Sequence, residues 1–203
     1  MDLATTKDVA SIIKDVIIAV AAIATAIVAV YGINSWRRET EGKARFDAAR
    51  SLMLTAYRAR DDIRNCRSPL IVAGEFPPDL DAFGGSAEER YKAYTHVYSN
   101  RWKPVKEAME RFDAAVLDAE VVLGRKVKEP SERLIAAVRN LFVAVDMYLS
   151  DIRSGYKELD RDTRKRFRQI ISGSGEHDAF GAEISAAVDQ LEQVIVAHVR
   201  RDG

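Results

Sequence analysis

The chain is poor in cysteine, proline and histidine, and neither sign of charge predominates. A single cysteine, Cys66, excludes an intramolecular disulfide framework and fits a reducing compartment. The 31 basic residues are balanced by 31 acidic ones, so no global field draws the protein to nucleic acid, which is not an expected partner. None of His96, His177 and His198 follows a Glu, Asp, Cys or His by three or four positions on a shared helix face. The Glu-x-x-His pairs of di-iron bundles are therefore missing. A capping or solvent-exposed role is expected for each histidine. The stretch SGSGEHD at 172–178 lacks the spacing and the preceding strand of a phosphate-cradling loop, and no nucleophile elbow occurs. Carboxylates such as Asp61, Asp62, Glu107 and Glu110 read as solvated helix faces. No catalytic, metal or cofactor residue is expected. Sustained strand alternation and fixed-period repeats are absent too, which leaves an all-α reading.

What is present is a long apolar run. From Val16 to Trp36 there are 21 consecutive uncharged residues, about enough at 1.5 Å per residue to cross a 30 Å hydrocarbon layer. Tyr31 and Trp36 lie where an interfacial aromatic belt is expected, and Lys14 can snorkel at the other end. A signal peptide would carry a basic n-region, whereas Asp2, Asp8 and Asp15 outnumber Lys7 and Lys14 here. Arg37, Arg38, Lys43, Arg45 and Arg50 follow the run, so the larger part is expected in the cytoplasm and a short N-terminal tail outside. The expected division is a tail at 1–9, a transmembrane helix at 10–36 and a helical domain at 37–203. Ala22, Thr25, Ala26, Ala29 and Gly32 form a small-residue stripe through which two spans can approach closely.

Beyond the span the apolar residues recur at helical spacing. Phe46, Ala49, Leu52, Met53, Ala56 and Ile63 share one face of a helix ending near Cys66. Tyr91, Tyr94, Tyr98, Trp102, Val105, Met109, Phe112, Val116, Ala119 and Leu123 form one stripe, with Pro104 expected to kink it or mark a join. Leu134, Val138, Leu141, Val145, Tyr148 and Ile152 face inward from a helix starting near Pro130, and the last helix runs from Asp178. Four such faces predict an antiparallel bundle of about four helices. The connections are expected at 67–87 and 154–178. The first is too rich in Pro and Gly to be helical, and too apolar for a solvated linker, so an ordered loop is predicted. Its Leu70, Ile71, Phe76 and Phe83 are candidate partner contacts. A second candidate is the basic group Arg161, Arg164, Lys165, Arg166 and Arg168, which suits an anionic lipid surface or a charged face paired with nearby acids.

The order of features, with a span ending in Trp-Arg-Arg, then KARFDAARSLMLTAYRARDDIRNCRSPLIVAGEF, RW…DAEVVLG and DAFGAEISAAVDQLE, resembles a group of uncharacterised bacterial membrane-anchored proteins. The resemblance implies an inner-membrane setting and brings no reaction, ligand or catalytic residue. The expected function is a non-enzymatic, membrane-tethered interaction or scaffold protein that docks a membrane protein or another copy of itself. A single-pass sensor that transmits a change in helix packing is the alternative, and a membrane-associated enzyme or binder of anionic lipid or nucleic acid is the third.

Overall fold

The computed structural model describes residues 3–80, 82–173 and 178–199. Among them the chain is all-helical, with five α-helices and no strand: α1 (Leu3–Cys66), α2 (Ala87–Leu123), α3 (Lys128–Arg153), α4 (Arg161–Ile171) and α5 (Ala179–Val199). Two compact units meet in sequence between Ala44 and Arg45. The boundary is later than Trp36 because residues 37–44 are polar and exposed, and the first buried core residue is Ala49.

In the first unit, α1 is long and apolar enough to cross a membrane. An 18-residue window within Ile17–Cys66 has a mean hydropathy of 2.2, and none of it is buried. The Thr25 hydroxyl is satisfied within the helix, since its Oγ1 donates to the Ala21 carbonyl at 2.8 Å.

The second unit is built round one core. The C-terminal part of α1 supplies Ala49, Leu52, Ala56, Ala59 and Ile63, α2 supplies Val105, Phe112 and Ala119, α3 supplies Leu134 and Leu141, and α5 supplies Val188 and Leu191. Much of this surface is alanine, which lets helix axes approach at short range. The α3 helix lies against α2, α4 and α5. Phe46, expected to face inward, is exposed instead, because it sits one turn ahead of the first residue that the other helices cover. Pro104 lies inside α2 without ending it.

The helix ends follow local chemistry. Ser86 Oγ accepts from the Glu89 amide, and the Glu89 carboxylate accepts from the Ser86 amide at 2.7 Å, forming a capping box that starts α2. Gly124, with φ of +80°, stops it. Asp160 caps α4 by accepting from the amides of Asp162 and Thr163. That helix occupies part of the stretch expected to be a connection. Its mean composition is strongly polar, so only Ile171 is buried and the apolar signal that identified the other helices is thin.

Candidate functional site

Three arginines organise the non-helical segments of the second unit. Arg101, three residues after Tyr98 on α2 and with its side chain only 11% exposed, reaches the loop after α1. Its Nε and Nη2 grip the Glu75 carboxylate at 2.6 and 2.8 Å, its Nη1 donates to the Ser68 carbonyl at 2.7 Å, and its Nη2 donates to the Leu70 carbonyl at 2.6 Å. This guanidinium holds Glu75 below the usual carboxylate range. The loop is further closed by a 3-10 turn at Ala73–Glu75, in which the Val72 amide donates to Glu75 Oε1. Phe76 packs edge-on against Phe83 and Tyr94, with centroids 5.6 and 5.4 Å away.

The four loop residues singled out from sequence thus divide. Phe76 and Ile71 are half-buried, while Leu70 and Phe83 are 69% and 76% exposed. Val72, another of the apolar residues that mark this loop in the sequence, belongs with the exposed pair.

Arg67, at the end of α1, is only 3% exposed. Its Nε donates to the Ile170 carbonyl at 2.6 Å and its Nη2 to that of Gln169, so it satisfies the open C-terminal end of α4. The same guanidinium pairs with both oxygens of Asp178 and lies 4.8 Å above the Phe180 ring. Asp178 in turn caps α5 through the Gly181 amide, and its acidity is strengthened first by Arg67.

Arg164 is the third. It pairs with Asp151, which is fully buried on α3, and donates to the carbonyls of Tyr156 and Leu159. Asp151 also accepts from the Glu158 and Leu159 amides, so the turn after α3 is fixed from both sides. Tyr156 adopts a left-handed φ of 66°, a strained conformation for a bulky residue, and its ring stacks under Arg164.

The basic residues at 161–168 have different surroundings. Arg164 is taken up by Asp151, whereas Arg161, Lys165, Arg166 and Arg168 are exposed on α4. Arg168 sits 5.7 Å from the Tyr148 ring. Ala22, Ala26, Ala29 and Gly32 of the apolar segment are exposed in the first unit, and nothing beyond the helix's own backbone lies within 4 Å of a Cβ built on Gly32.

Sequence reasoning missed Arg101 and Asp151 as organising residues, and reads Arg67 only as part of a basic helix face with Arg60 and Arg64. A signal existed for Asp151, a charge at an inward register one turn after Tyr148, and for Arg101, between Tyr98 and Val105 on the apolar stripe. His96 is exposed and hydrogen-bonded to Asn100, while His177 and the His198 side chain lie outside the described residues. Among the described residues no group of His, Cys, Asp or Glu could hold a metal ion. No protein-family model matches the chain, and comparison with curated proteins and with solved structures gives no match either.

Proposed function

We propose that the protein is a membrane-tethered helical docking platform without an activity of its own, which presents the 67–85 loop to a partner. The observation that carries this reading is the Arg101 clamp. It fixes the loop through main-chain carbonyls and Glu75, while the apolar side chains of Leu70, Val72 and Phe83 face solvent. A solvated linker would leave its backbone to water and its tips polar. Here the ordering cost is met before any partner arrives, which favours binding. The apolar helix at 17–33 is the membrane anchor in this reading, crossing the bilayer once. The basic residues from Arg37 to Arg50 support a cytoplasmic position for the second unit, taken in this reading as a helical bundle, with the N-terminus outside. The resemblance to bacterial membrane-anchored proteins favours the inner membrane. The partner would be a membrane protein, or a second copy meeting this one through the span stripe.

The test is a mild-detergent pull-down of the tagged full-length chain from its native membranes, beside the Leu70→Ser, Phe83→Ser double variant. A stoichiometric protein retained by the wild type and lost by the variant supports the reading. An identical set of recovered proteins overturns the role given to the loop.

A further inference from the structure

The second unit contains a cavity of about 390 Å³ where the 67–85 loop, α2, α3 and α4 come together. Two of its lining side chains are cationic, Lys165 and Arg168 from successive turns of α4. Three are phenols, Tyr94 and Tyr98 from α2 and Tyr148 from α3, and Ile71 contributes an apolar wall. Among the described residues no carboxylate lines it. Burial pushes the ionisation of all three tyrosines upward, so at neutral pH they are uncharged hydroxyl donors. Arg168 is close enough to Tyr94 and Tyr148 for its charge to act on both.

The helix dipole would ordinarily work against an anion here, because Gln169, Ile171 and Ser172 form the C-terminal end of α4. That end is partly answered by Arg67, which does not line the cavity and donates to the Gln169 and Ile170 carbonyls, so two of the acceptors that would repel a negative ligand are satisfied. What remains facing the cavity is a concave set of two cations and three neutral donors beside an apolar wall, within the size range of small-ligand sites.

We infer that this cavity binds a phosphate monoester, with Lys165 and Arg168 on the phosphate, Tyr94, Tyr98 and Tyr148 donating to its oxygens, and Ile71 against the attached organic group. The phosphate is the better match than a carboxylate because it offers three equivalent oxygens to donors arriving from three helices. Arg166, adjacent to Lys165 and as exposed, does not line the cavity, so it is the control for the general positive charge of α4. The inference does not depend on the docking role of the loop.

The experiment is calorimetric titration of the full-length protein in detergent with phenyl phosphate, with short-chain phosphatidic acid as competitor. Saturable binding of phenyl phosphate is expected. Arg168→Gln and Lys165→Gln should each weaken it by about tenfold, the loss of one charge-assisted contact. Tyr98→Phe, which removes only a hydroxyl, should weaken it several-fold, and Arg166→Gln should leave it unchanged. Helical content measured on each variant separates lost binding from lost folding. If phosphatidic acid competes, a lipid headgroup is the source of the phosphate. If it does not while phenyl phosphate binds as described, the source is a soluble ester. Absence of saturable binding by both probes overturns the inference. So does a loss in Arg166→Gln equal to that in Arg168→Gln, because the anion would then be held by surface charge.

Discussion

Arg67 and Asp178, 111 residues apart, form a two-point ion pair with bonds of 2.9 and 2.7 Å that joins the ends of three helices. The arginine closes α1 and satisfies α4, and the aspartate opens α5. A buried guanidinium is tolerated only because every face of it meets an acceptor or a ring. Asp178→Asn would leave that cation without its counter-charge and is expected to cost about 3 kcal/mol in urea unfolding. The pair also sets a pH dependence. Asp178, Glu75 and Asp151 are all held below the usual carboxylate range, in each case first by an arginine. A carboxyl more acidic folded than unfolded contributes stability that is fully present above its unfolded pKa and lost as pH falls through the folded one. Stability should therefore be level near neutrality and fall once the pH drops below about 4. Asp178→Asn should make that fall shallower.

Gly181 and Gly42 make opposite predictions for the same substitution. Both are helical, so alanine is intrinsically favoured by about 1 kcal/mol at each. At Gly42 no atom lies within 4 Å of the added methyl, and Gly42→Ala should raise helix stability by roughly 0.5–1 kcal/mol. At Gly181 the methyl would lie 2.8 Å from Asp178 Cγ and 3.2 Å from Arg67 Nη1. The aspartate cannot move aside without releasing the arginine, so Gly181→Ala should lower stability by about 1–3 kcal/mol. Thermal unfolding followed by circular dichroism distinguishes the two signs.

Cys66 is a built-in reporter for the same region. Burial pushes its thiol up to about 11, against the pull of Arg101 and Arg67. A protonated, enclosed thiol is inert, so maleimide labelling at neutral pH should proceed at the rate of local opening. Arg101→Met frees the loop carbonyls that cover this end of α1 and should speed labelling. A wild-type rate equal to that of an unfolded control would contradict the burial described above.

The anchor reading makes a separate prediction. Ala26→Arg places a charge near the middle of the apolar segment, at an insertion cost of about 2.5–3.5 kcal/mol. The variant should shift from the membrane pellet towards the soluble fraction, while Ala26→Leu should stay with the membrane.

The helices were legible in the sequence where one apolar face repeats over several turns, as from Tyr91 to Leu123 and from Leu134 to Ile152. The α4 helix was not, because a helix held mainly by Arg164, Asp151 and a capping aspartate carries its information in charges, and charges also occur on every solvated face. The apolar content of the loop predicts an ordered segment, yet its brace is not legible there. Arg101 and Arg111 lie ten residues apart on the same helix, and Arg111 makes a surface pair with Glu107. What separates them is a meeting with the Ser68 and Leu70 carbonyls more than thirty positions away. Lys165 and Arg168 were singled out together with Arg161, Arg164 and Arg166. Only the folded arrangement sorts them into cavity, clamp and surface.

Because Arg101 holds the loop by carbonyl oxygens that every amino acid possesses, its shape is indifferent to what Leu70 carries as a side chain. The exposed tips can be exchanged one at a time without rebuilding the frame beneath them. Point mutations at Leu70 or Val72 could thus accumulate over generations while the frame persists, with heritable drift confined to a few surface codons.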